Sequence, residues 1–116
     1  MQRTLVKINY RIHTDAIKEH IIPPEVTKAQ ASAIYASEAD LLNVALFGQT
    51  ATEWRASHTE AKGNVRDDAT LEQLVVLSNL ESVNAVLIRN GLLQSERLIR
   101  LNQIAITQLT SLLNNE

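Results

Sequence analysis

Apolar residues recur at intervals of three or four along most of this chain, the spacing that places them on one side of an α-helix. The first stripe consists of Leu5, Ile8, Ile12 and Ala16, and it ends before the Pro-Pro pair at residues 23–24. Only three Gly and two Pro interrupt the 116 residues. This pattern predicts helices throughout and favours no strand.

Helix starts and stops in the middle of the chain are marked by capping residues. Thr27 predicts a short helix over residues 27–36. Ser37, with Asp40 three residues later, predicts the start of a separate helix that ends at Gly48. Residues 50–53 have the spacing of a capping box, so another short helix follows there.

Thr70 and Gln73 form a further capping-box pattern, which opens the most apolar segment of the chain. We expect this helix to end at Asn90-Gly91. Its apolar side is so wide that only the strip near Glu72, Asn79 and Ser82 remains polar, which is typical of a central helix with neighbours on several sides.

The last helix is predicted to begin near Ser95, and it carries two apolar rows. The first row is Leu98, Leu101, Ala105, Leu109 and Leu112; the second, spaced by seven, is Ile99, Ile106 and Leu113. Two rows indicate two partners. Either the second row meets another subunit, or the helix lies in a groove between two helices of its own domain.

We therefore predict an all-α fold, a compact bundle of about five helices with a long loop around residues 58–69. A chain of this length suffices for one self-supporting core, so we expect a single helical domain over residues 1–116. The residues expected in that core are Leu74, Leu77, Leu80, Val83, Leu87, Leu98, Leu101 and Leu109.

Composition and charge narrow the chemistry. There is no Cys, which excludes disulfides and thiolate metal sites. The longest apolar runs are four residues, so we expect no membrane span, and the N-terminus lacks the pattern of a signal peptide. The net charge of −2 provides no global field for holding a polyanion. We expect a soluble protein, and composition alone leaves its compartment open.

No residue pattern in the chain favours catalysis. His13, Asp15 and His20 could suggest a metal-dependent hydrolase, but the two histidines are seven residues apart, about 10 Å along a helix, which is too far to share one ion. Asp67 and Asp68 are adjacent at a predicted helix start, where acidic side chains interact favourably with the helix dipole. We predict a protein that is not an enzyme and has no cofactor.

Basic residues offer the alternative of nucleic-acid binding. A local patch could combine Arg3, Lys7 and Arg11, spaced by four on the first helix, with Lys62 and Arg66 in the predicted loop. Aromatic residues make up only 3% of the chain, so base stacking is not expected to dominate.

Much of the sequence resembles one region of a known family. The run RTLVKINYRIHTDAIK at residues 3–18 is similar to the segment that follows the DNA-binding domain in KilA-N proteins of bacteria and phages. Further similar stretches are IPP (22–24), YASEADLLNVALFG (35–48), WR (54–55), KGN (62–64), RD (66–67) and residues 77–98, which begin with LSNLES and end with ERL.

The resemblance implies a C-terminal helical module of a larger KilA-N-type protein, without the KilA-N domain itself. Such a module would act as a non-enzymatic interaction or oligomerisation unit in a phage or mobile-element regulatory protein, in the cytoplasm of a bacterial host. Its partner would be another protein or a second copy, with DNA bound by the upstream domain. The resemblance gives no role to the matching motif residues Trp54, Arg55, Gly63, Asn64 and Asp67.

Overall fold

Five helices make up most of the chain that the computed structural model describes, which is residues 3–57 and 69–113. They are α1 (Arg3–His20), α2 (Lys28–Phe47), α3 (Ala51–Ser57), α4 (Leu71–Arg89) and α5 (Gln94–Leu113). The prediction of an all-α bundle of about five helices is confirmed for these described residues. The predicted loop around 58–69 lies outside the described residues, apart from the non-helical Ala69.

The helix starts follow the capping residues. Thr27 and Thr70 each accept a hydrogen bond at 3.1 Å from the backbone N–H of a Gln three residues later, and each Gln side chain returns a bond to the Thr backbone at 2.9 Å. Thr50 and Glu53 form the same box ahead of α3. Satisfying these otherwise unpaired N–H groups fixes where each helix begins.

The prediction of a helix boundary at Ser37 is wrong. α2 continues through this position for 20 residues, because neither Gly nor Pro occurs between its start and Gly48. The Ser37 hydroxyl accepts a bond from the Gln94 side chain on α5 instead of capping a helix. Gly48 does end α2, as predicted, with a φ of 78° that favours glycine.

Contacts between helices establish their directions. Asn9 bonds Ser78 and Glu19 bonds Arg89, so α1 and α4 run the same way. The pairing of residue 84 with 97 and of residue 79 with 108 makes α5 antiparallel to α4. The bond from Asn102 to the Ala45 carbonyl, together with that between residues 94 and 37, makes α2 parallel to α5. Four long helices thus form an up-and-down bundle.

The core has two parts that meet on α4. Leu42, Leu80 and Leu101 are at most 1% exposed at the centre of the larger part, formed by α2, α4 and α5. In the smaller part, Ala16 and Ile17 of α1 pack against the C-terminal half of α4. Of the predicted core residues, 77, 80, 87 and 101 are buried, and 83, 98 and 109 are partly buried.

One expectation about the core requires correction, and the apolar stripe on α1 is largely exposed. Leu74, predicted in the core, is 38% exposed because it lies in the first turn of α4, near the end of the bundle. In the stripe on α1 only Ala16 is buried, while Leu5, Ile8 and Ile12 are 40–53% exposed. The side of α1 that faces α4 is rotated from this stripe and includes polar residues.

α4 is the central helix, as its wide apolar side predicts, and it contacts α1, α2 and α5. The strip expected to be its solvated side is only partly right. Residues 72, 79 and 82 are half-buried, whereas Val86 is 56% exposed. Within the described residues α4 is also the one helix long and apolar enough to cross a membrane, although half of its apolar stretch is buried in the bundle.

Candidate functional site

A buried ion pair joins α2 to α5. Both side chains are at most 5% exposed, and Arg97 donates from Nη1 and Nη2 to the two carboxylate oxygens of Glu38, the latter bond measuring 3.1 Å. Gln94 donates to Glu38 Oε2 at 3.0 Å, and Arg97 Nε donates to the Leu92 carbonyl. This bidentate geometry is the arrangement in which a buried guanidinium and carboxylate compensate one another.

Asn84 extends this pair across the bundle. Its carbonyl oxygen accepts from Arg97 at 3.0 Å, and its amide nitrogen donates to Glu38 at 3.1 Å. The second amide hydrogen faces Nε2 of His13 on α1, 2.9 Å away. Because the other contacts fix the amide orientation, Nε2 must accept, which places the ring proton on Nδ1. One hydrogen-bonded chain therefore connects all four long helices.

The environment of Glu38 has opposing effects on its acidity. Burial acts to raise the pKa of Glu38, but hydrogen bonds from Arg97, Asn84 and Gln94, with the charge of Arg97, outweigh it and hold the pKa below its usual value. Glu38 is therefore ionised at neutral pH. The group is held as a permanent charge, which favours a structural role over proton transfer.

A small cavity of about 50 Å³ lies beside the network, lined by side chains of α1, α2 and α4. His13, Thr14, Glu81, Tyr10 and Tyr35 supply its polar groups. This space is well below the roughly 300 Å³ at the lower end of ligand pockets. It suits a few water molecules better than an organic substrate.

Sequence reasoning missed the residues of this network. Glu38, Asn84 and Arg97 were not singled out, although each occupies a core-facing position in its helix. Asn84 interrupts an apolar run, and Arg97 lies four residues before the buried Leu101. Polar residues in line with core residues on separate helices were the available signal.

His13, Asp15 and His20 are not brought together. His13 is 4% exposed and contacts Asn84, whereas His20 lies on the surface within 2.9 Å of Arg89 Nη1. Asp15 is exposed and lies 4.0 Å from Arg11. In residues 3–57 and 69–113, no group of three His, Cys, Asp or Glu side chains has the arrangement of a metal site.

The second row on α5 lies on the outside of the molecule. Ile99, Ile106 and Leu113 are 62%, 58% and 57% exposed, on the side away from the buried Arg97 and Leu101. Among the described residues, therefore, no groove between two helices of the same domain covers this row. We call these three residues the α5 outer row.

The basic residues proposed for nucleic-acid contact are only partly described. Lys7 and Arg11 are exposed, one turn apart on α1, and Arg3 is the first residue of that helix. Lys62 and Arg66 lie outside the described residues, as do Gly63, Asn64 and Asp67 of the matching motifs. Trp54 and Arg55 lie on α3, and the Arg55 side chain is exposed.

Comparison of the chain with models of known families, with curated proteins and with solved structures gives no match. The resemblance to KilA-N proteins stays a prediction, and the function has to be argued from the geometry.

Proposed function

We propose that this chain is a non-enzymatic interaction module that binds a protein partner through the α5 outer row. Its setting, by the resemblance to KilA-N proteins, would be beside a DNA-binding domain in a phage or mobile-element regulatory protein. The observation that carries the proposal is the exposure of Ile99, Ile106 and Leu113, each above 50%, in one line along a helix. Aligned apolar residues on a surface are typical of an interface.

The buried network supports the same function. Arg97 is two residues from Ile99 and is bonded to both α2 and α4. The α5 outer row is therefore presented on a helix whose position is fixed by charged hydrogen bonds, which reduces the ordering cost of binding. The titratable groups of this network are used for anchoring α5, which favours binding over catalysis.

A site-specific photo-crosslinking residue at position 106 tests the proposal in a bacterial host that expresses the chain. Irradiation should attach a protein, of any identity, at this position. The matched control places the same residue at position 86, since Val86 is equally exposed, at 56%, but lies on α4. Equal labelling at both positions, or none at 106, would overturn the proposed function.

Accessory nucleic-acid binding is the second candidate, and one observation favours it. Lys7 is exposed on α1 one turn before Arg11, and it has no ion pair among the described residues. If the candidate is right, the chain alone should retard duplex DNA at low salt, and a Lys7→Glu, Arg11→Glu variant should not. Unchanged DNA mobility with the natural sequence would reject it.

A further inference from the structure

We infer that the partner of the α5 outer row is a second copy of this chain, paired with α5 antiparallel to α5 of the first copy and centred on Ile106. This inference rests on the proposed function, because it names the partner of the same surface. Three properties of α5 carry it: the spacing of the row, the distribution of charge along the helix, and the residues in its last turn.

The spacing of the row makes it complementary to its own reverse. Ile99 and Leu113 are each seven residues from Ile106, so a two-fold axis at Ile106 places Ile99 level with Leu113 of the second copy. The row extends over about 21 Å, or four helical turns. A two-fold contact needs a surface that matches itself in this way.

The C-terminal part of α5 has no charge that would oppose self-association. Residues 101–113 contain no Asp, Glu, Lys, Arg or His, and the exposed side chains beside the row, such as Gln103, Thr107 and Thr110, are neutral. Depletion of charge is typical of the centre of an interface and unusual for a solvent-exposed helix surface. A surface without charge also provides no means of selecting a charged partner.

The charged residues of α5 select the antiparallel direction. The last turn of α5 has no basic residue, although the carbonyl groups at a helix C-terminus favour a cation. In the antiparallel pair, the exposed Arg100 lies level with Leu112 in the last turn of the second copy. A parallel pair would instead place Arg100 level with Arg100 and leave both last turns without a cation.

The proposed contact is small. A single row of three side chains buries less area than the roughly 800 Å² per partner that is typical of stable interfaces. The dimer should therefore form at high protein concentration and dissociate on dilution. Disulfide trapping captures a dimer that is in exchange with its monomers.

Cysteine variants test the pairing directly, since the natural sequence has no Cys. Under mild oxidation, Ile106→Cys should form a disulfide-linked dimer at several times the yield of Val86→Cys, the control of equal exposure on α4. Ile99→Cys alone should give little dimer. A mixture of Ile99→Cys and Leu113→Cys, with one of them ¹⁵N-labelled, should give the mixed dimer in mass spectrometry.

Each alternative result has a defined meaning, provided that circular dichroism shows every variant to be helical. An Ile106→Cys yield no higher than that of Val86→Cys overturns the second copy as partner. Self-linking of Ile99→Cys that matches the mixed reaction overturns the antiparallel direction. If cross-linking from position 106 in cells captures a different protein while the cysteine variants stay monomeric, the proposed function stands and this inference fails.

Discussion

Glu38 and Arg97 show how single residues hold this bundle together. Each carries a full charge into the interior of the bundle, and each has its partner on another helix. Such a pair adds little net stability compared with well-packed apolar residues, but the loss of one member leaves a buried charge without compensation. Removing Glu38 or Arg97 should therefore cost more free energy of unfolding than removing one member of an exposed ion pair.

Glu38→Ala should lower the free energy of unfolding by about 3–5 kcal/mol, because Arg97 then remains buried without its carboxylate. Urea denaturation followed by circular dichroism measures this change. Asp15→Ala is the control, since its contact with Arg11 is exposed and should be worth less than about 1 kcal/mol. Equal effects of the two substitutions would contradict the structural role of the buried pair.

Acid should weaken the fold through Glu38. Its pKa is lower in the folded chain than the ordinary value of 4.5, so the unfolded state takes up the proton first as the pH falls. The contribution of Glu38 is thus complete above pH 4.5 and is lost as the pH falls through the folded pKa. Unfolding free energies measured from about pH 7 to about pH 3 should show this loss.

The Glu38→Gln variant isolates that contribution, because it should have a flatter acid dependence than the natural sequence. The pKa of Glu19 is also lowered, by its hydrogen bond and charge interaction with Arg89, but this carboxylate is on the surface. Glu19→Gln should therefore flatten the curve less. If both variants retain the natural slope, neither pair is linked to acid unfolding.

At the scale of elements, α4 organises the bundle because three of the other four helices pack against it. Its central turns face the core, whereas its first turn extends toward solvent. The same substitution should therefore change the free energy of unfolding by different amounts at different positions in α4.

Leu80→Ala should cost about 2–5 kcal/mol of unfolding free energy, because this fully buried side chain leaves a cavity. Leu74→Ala, on the same helix but 38% exposed, should cost clearly less. Thermal and urea denaturation of the two variants provide the comparison. A larger loss with Leu74→Ala would show that the first turn of α4 is covered in solution.

In the whole molecule, the buried network stabilises the bundle, whereas the proposed contact with a partner lies on the surface. The network from His13 to Arg97 ties four helices into one unit, and the α5 outer row lies on the outside of that unit. Association through the row therefore requires no opening of the bundle. We therefore expect the subunits to stay folded when the oligomer dissociates.

Size exclusion with in-line light scattering measures this association. The mass should rise from near 12.9 kDa toward twice that value as the loading concentration increases. Ile106→Glu should keep the mass at 12.9 kDa, since it buries an unpaired charge at the centre of the contact, while Val86→Glu should behave like the natural sequence. A constant monomer mass at every concentration would contradict the proposed pairing.

By itself, the sequence determined the helices and most of their ends. The capping boxes at Thr50 and Thr70 and the stop at Gly48 were predictable because each depends on groups within four residues of one another. The heptad spacing of Ile99, Ile106 and Leu113 was visible for the same reason. The exception is Ser37. This residue type often caps a helix, but here it lies within α2, which neither Gly nor Pro interrupts.

Only the tertiary structure decided which polar residues are buried and which side of α1 packs against the bundle. Glu38, Asn84 and Arg97 are 46 and 13 residues apart along the chain, and no local pattern relates a carboxylate on α2 to a guanidinium on α5. The stripe on α1 is apolar, yet α4 packs against the neighbouring side, where His13 satisfies Asn84. Burial depends on the shape and polarity of the partner helix, and the chain acquires that partner only when it folds.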